Sequence, residues 1–77
     1  MTNDAQEAFH PTPVVVLGVV PGDPPYRMVE IDGVLAGPAY DMVDVIRLAH
    51  QAGVTDIDFD DPALVRWVGG GKYKWFP

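Results

Sequence analysis

The groups that could do chemistry are concentrated at the end of the chain, from Arg66 to Pro77. Three of the five basic residues, Arg66, Lys72 and Lys74, lie there beside the rings of Trp67, Tyr73, Trp75 and Phe76. Lysines interleaved with aromatics suit two kinds of partner. They can stack the bases of a single nucleic-acid strand while neutralising its phosphates. They can equally anchor a protein interface, where Trp, Tyr and Arg carry much of the binding energy. A third reading is purely structural, because large rings supply much of the buried area of a very small domain and Trp67 and Trp75 would then close the core. Gly69-Gly70-Gly71-Lys72 is not a P-loop, since Ser or Thr has to follow the lysine and here Tyr73 does.

A second concentration is acidic. Asp56, Asp58 and Asp60 have the spacing that opens a calcium loop, but that loop needs glycine at its sixth position and an acidic residue at its twelfth. Asp61 and Trp67 stand there instead. No metal is expected, and the three aspartates are read as a charged solvent face that a partner could also use. The chain contains neither Ser nor Cys, so Ser–His and Cys–His nucleophiles are excluded. His50, on a helix flank near Asp44 and Arg47, has nothing to activate, and His10 is read as a solvated side chain. No cofactor motif is present. An enzyme is not expected, since a chain this short has little room for a deep pocket.

The elements that position these groups centre on Tyr26 to Val54. Tyr26 to Ile31 is rich in strand formers and runs into Asp32-Gly33, a pair that suits the positive φ angles of a type I′ turn. Val34-Leu35-Ala36 is the return strand, with Ile31 opposite Val34 and with Val29, Ile31, Val34 and Ala36 on the core face. Asp41 is placed to cap a helix, with Asp44 three residues on; a start at Pro38 is the competing choice. Met42, Val45, Ile46, Leu48, Ala49 and Ala52 make one apolar stripe at helical spacing. Gly53 suits the left-handed residue after the helix, with Val54 reaching back to Ala49.

Upstream, Val14 to Val20 is a continuous run rich in β-branched residues, the pattern of a central strand covered on both faces, and Gly18 within it marks a bulge or a close backbone approach. Pro21 to Pro25 is a turn-forming loop. Downstream, Ile57 and Phe59 alternate with aspartates, which predicts a strand over Thr55–Phe59. Asp61-Pro62 predicts a capped helical turn, followed by a strand within Leu64–Val68 and a strand-like ending over Lys72–Phe76.

The expected fold is therefore α+β: a small antiparallel sheet of β-β-β-α-β-β type with one main amphipathic helix on one face. Residues 1–13 are expected to form a flexible tail and residues 14–77 a single domain. A chain of 77 residues buries only about 60% of the surface its unfolded form exposes, so its core is marginal and association is an expected source of stability. The net charge of −6 argues against an extended duplex-DNA footprint. With no cysteines, no basic leader before a long apolar segment, and an apolar run far short of the ~20 residues a membrane helix needs, a cytoplasmic location without membrane attachment is expected. The expected function is a non-catalytic protein-interaction module, a small regulator, adaptor or inhibitor. Its partner would be another protein or a second copy of itself, bound through Trp67, Lys72, Tyr73, Lys74, Trp75 and Phe76 or the Asp56–Asp58–Asp60 face. The alternatives are a nucleic-acid-binding module using the basic and aromatic C-terminal segment, and a structural homodimer.

Overall fold

The computed structural model describes residues 12–77. Strands β1 (Val14–Val20), β2 (Tyr26–Ile31) and β3 (Val34–Ala39) precede helix α1 (Met42–Gln51), and a short strand β4 (Val65–Trp67) follows it. The strands form one sheet in the order β3-β2-β1-β4, and α1 packs on β3 and β2. The fold is α+β. Three strands are antiparallel neighbours, but β4 runs parallel to β1, with Val15 opposite Arg66, so the sheet is mixed. No part of His10 or of the predicted tail up to Pro11 falls within the described residues. Pro13 is already tied to the sheet, because its carbonyl accepts the Asp32 N–H at 2.7 Å.

Asp32 and Gly33 both have positive φ, 51° and 81°, and Ile31 pairs with Val34 as the turn chemistry demands. The predicted core face on β3 does not hold beyond that point. Glu30 pairs with Leu35 and Val29 with Gly37, which leaves Ala36 as the extra residue of a bulge. A bulge reverses the in-and-out alternation. Ala36 is thereby exposed, and Ala39, opposite Arg27, becomes the buried residue of this strand. Val34 keeps its place opposite Ile31 but is 68% exposed at the hairpin tip. Helix α1 covers the other end of β3, where a Cβ on Gly37 would stand 3.7 Å from Leu48.

The helix begins where its cap dictates. Asp41 accepts the Asp44 N–H at 3.0 Å, and Asp44 in turn accepts the Tyr40 N–H at 2.9 Å. Pro38 belongs to β3 and not to the helix. At the far end Gly53 has φ 85°, and Val54 N–H donates to Ala49 C=O at 2.8 Å, closing a Schellman turn. Val45, Leu48 and Ala49 are buried and Met42 and Ile46 half-buried, whereas Ala52 is the exposed C-cap.

The core gathers Val14, Val16, Val29, Ile31, Ala39, Val65 and the helix stripe, with Trp67, Trp75, Ile57 and Phe59 packed against it. Central placement of β1 is as expected, but two-sided cover is not. Val14 and Val16 are fully buried, whereas Val15 and Leu17 are only half-buried, because the C-terminal segment packs on the same side of the sheet as α1.

Two predicted strands are absent. Thr55–Phe59 is irregular, with a bend at Asp56, where φ is 55°, and the Asp58 carboxylate accepts the Asp60 N–H at 2.9 Å. Aspartate tolerates the left-handed region and caps turns with its own side chain, and this local bonding outcompetes the ladder. Lys72–Phe76 is likewise no strand, since its backbone is turned inward around a buried side chain. The capped turn after Asp61 forms: Leu64 and Val65 N–H both donate to Asp61 C=O, at 2.9 and 3.0 Å.

Candidate interaction site

The C-terminal segment is held by Arg27, a residue whose part the sequence reading missed. Arg27 is 0% exposed and has no carboxylate partner among the described residues. Its five N–H groups meet five backbone carbonyls. Nε donates to Leu17 at 2.7 Å, one terminal nitrogen to Gly71 and Lys74 at 2.8 Å each, and the other to Val68 at 3.0 Å and Gly70 at 2.8 Å. A guanidinium carries five donors in a fixed plane, so every one is satisfied. The rings of Trp67 and Trp75 lie 5.3 and 5.5 Å from its central carbon, within cation–π range. Burial lowers its pKa from the ordinary arginine value.

The sequence supplies each part of this arrangement locally. Arg27 has the same strand parity as Val29 and Ile31, which is the one signal that could have placed it inward. Opposite it, β1 carries one extra residue between Val16 and Val19, and at this bulge Leu17 C=O accepts Arg27 Nε. Gly18 sits in the bulge as expected, and Gly69 approaches it closely: a Cβ on Gly69 would stand 3.4 Å from Gly18 Cα. Gly70 has φ 139°, a conformation essentially reserved for glycine, and this bends the strap so that successive carbonyls converge.

This arrangement divides the predicted site residues. Trp67 and Trp75 are half-buried against Arg27 and the core, and their indole N–H groups donate to Phe59 C=O at 3.3 Å and Lys72 C=O at 2.7 Å. They belong to the fold. Tyr73 and Phe76 point outward, 86% and 70% exposed. Lys72 lies 5.3 Å over the Tyr73 ring and makes an ion pair with Asp60 at 2.5 Å, and hydrogen bonding to that carboxylate raises its pKa. Lys74 accepts an Arg27 N–H through its backbone carbonyl and is exposed. Asp56, Asp58 and Asp60 are all exposed, but only Asp60 is brought to the aromatic segment.

Between these parts lies a groove of about 390 Å³. Phe59, Pro62, Val65 and Trp67 form its apolar lining, and Asp60, Arg66 and Lys72 its polar one. Among the described residues no group of three or more His, Asp or Glu converges as a cation site. His50 is exposed on the last turn of α1. No helix of the described residues is long and apolar enough to cross a membrane. Comparison with protein-family models, curated proteins and solved structures yields no match.

Proposed function

We propose that this chain is a small, non-catalytic protein-interaction module whose binding surface is the outer side of the C-terminal strap and the groove beside it. One observation carries this reading: Tyr73 and Phe76 stand exposed on a backbone that Arg27 holds rigid through four of its five hydrogen bonds. Rigid exposed aromatics bind at low entropic cost, which is what an interface anchor requires. The acidic charge supports a protein partner over a nucleic acid. So does the engagement of both tryptophans with Arg27, because one face of each ring is then taken up and cannot stack a base.

The test is affinity capture with the wild-type chain and with a Tyr73→Ala/Phe76→Ala variant, each checked for native circular dichroism. Both side chains are exposed, so the variant folds. The reading expects specific proteins retained by the wild type and lost with the variant. Equal retention by the two overturns it.

A second reading, a homodimer, is favoured by the sheet face opposite α1, where Val15 and Leu17 are half-buried and Leu35 is 58% exposed. Light scattering at two concentrations separates it from the first.

A further inference from the structure

We propose that the groove beside β4 receives the C-terminal residue of a partner peptide, its apolar side chain against Phe59 and Trp67 and its free carboxylate on Arg66 and Lys72. The proposal rests on the interaction-module reading and names the chemistry of the partner.

The walls of the groove are pinned before any ligand arrives. Trp67 indole N–H donates to Phe59 C=O at 3.3 Å, which ties β4 to the segment before Pro62. Leu64 and Val65 N–H both return to Asp61 C=O, at 2.9 and 3.0 Å, and Ala63 N–H donates to the Asp61 carboxylate at 2.9 Å. The turn that carries Pro62 is fixed in this way. Lys72 enters from the strap. Arg27 holds the carbonyls of Gly71 and Lys74 on either side of it, and the Lys72 carbonyl accepts the Trp75 indole N–H at 2.7 Å. A site built from such parts needs little ordering when it binds.

The lining has two kinds of chemistry. Phe59, Pro62, Val65 and Trp67 offer apolar surface, and Arg66 and Lys72 bring two of the five basic residues to one groove in a chain of net charge −6. Asp60 neutralises one of them, its carboxylate lying 2.5 Å from Lys72 Nζ. Arg66 is exposed and has no ion-pair partner among the described residues. One positive charge is therefore left over beside apolar surface. An ammonium has three donors, so Lys72 can hold Asp60 and a second carboxylate together, and a guanidinium can take a carboxylate through two parallel hydrogen bonds. The ligand that fits is an apolar group with an anion a few bonds away.

Size and access select the end of a chain. The groove holds about 390 Å³, near the lower limit of the ~300–1,000 Å³ of ligand sites. A C-terminal residue carries its side chain and a carboxylate on one Cα, and its chain leaves in one direction. An internal segment would need two residues for the same pair and an exit at both ends. It would also find no strand edge to follow, because Val65 is 2% exposed and its N–H is taken by Asp61 C=O. A phosphate would satisfy Arg66 and Lys72 but cover none of the apolar lining. Tyr73 adjoins the rim, its ring centroid 5.3 Å from Lys72 Nζ, so the residues before the peptide's end can meet the exposed aromatics of the strap.

The experiment is an NMR titration of the isotope-labelled full-length chain with three probes: acetyl-Gly-Gly-Phe as the free acid, the same peptide as its C-terminal amide, and acetyl-Gly-Gly-Gly as the free acid. The two indole N–H signals are internal reporters, since Trp67 lines the groove and Trp75 does not. The phenylalanine acid is expected to shift the Trp67 signal with a Kd of about 1 mM, the affinity of a ligand this small, and to move the Trp75 signal little. The amide lacks the charge-assisted bonds and the glycine acid lacks the apolar contact, so each should bind at least about tenfold more weakly. Arg66→Gln, an exposed substitution, should weaken binding of the acid about tenfold and leave that of the amide unchanged. Equal affinity for the phenylalanine acid and either control overturns the proposal, as does a Trp67 signal unmoved by about 10 mM acid. Both results leave the interaction reading intact while the wild-type chain still captures proteins through Tyr73 and Phe76. Failure of that capture as well ends both. An oligothymidylate strand that shifts the Trp67 signal at lower concentration than the acid overturns the proposal in favour of a nucleic acid.

Discussion

Replacing Arg27 by lysine is the most informative perturbation of this molecule. Lysine keeps the charge but offers three donors where the cage presents five carbonyls, so at least two lose their partner. A buried carbonyl left unpaired costs about 1–3 kcal/mol. Gly70, Gly71 and Lys74 are exposed residues, so water reaches some of these groups and the lower half of that range applies. A compact ammonium also fills the space between Trp67 and Trp75 less well than a flat guanidinium, a loss of about 0.5–1 kcal/mol. Together the cost is about 2.5–5 kcal/mol, against about 4–12 kcal/mol for the total stability of a chain this size. Tm should fall by roughly 10–40 °C. Only two tryptophans exist and both touch Arg27, so near-UV circular dichroism reports the cage directly. Amide exchange should accelerate across Val68 to Trp75 and change little in β1 and β2. Arg47→Lys, at an exposed helix position, is the control. An Arg27→Lys variant with unchanged Tm, near-UV signal and strap exchange would refute the view that one guanidinium holds this segment.

Gly70→Ala should destabilise by about 1–3 kcal/mol, because φ 139° is strained for alanine and its Cβ would stand 2.6 Å from Lys74 Cγ. Gly71→Ala has nothing within 4 Å of its Cβ and should shift the urea midpoint little; equal effects from the two would show that the strap is not bent as described. The Asp44 carboxyl is held below its ordinary value of 3.8, chiefly by the Tyr40 N–H and then by Arg47. Its contribution to the start of α1 is therefore complete above that ordinary value and lost as pH falls through the lower folded one. Far-UV circular dichroism of the wild type should lose helix only in that acidic window, and Asp44→Asn should lack this dependence.

Much of the local structure was legible from short stretches. Asp32-Gly33 specified the hairpin and the Ile31–Val34 register because only a few residue pairs accept two positive φ angles. Asp41, Asp44 and Gly53 bounded the helix because a helix end needs particular partners within a few residues. The stripe from Met42 to Ala49 named the face that packs. Each of these depends on contacts between near neighbours in the chain. The two missed strands show the limit of such patterns: the alternation of Ile57 and Phe59 with aspartates correctly marks which side chains turn inward, but it does not say whether the backbone pairs with another strand.

What tertiary structure alone decided is the meaning of Arg27 and of the C-terminal segment. The residues that satisfy the guanidinium lie ten positions before it or more than forty after it, and nothing local to Arg27 announces them. Its burial is tolerable only because five carbonyls and two rings converge there at once. That convergence separates Trp67 and Trp75, which hold the fold together, from Tyr73 and Phe76, which the same backbone presents to solvent. Residue types placed all four in one group; a parallel strand, a bulge at Leu17 and a glycine at φ 139° divided them.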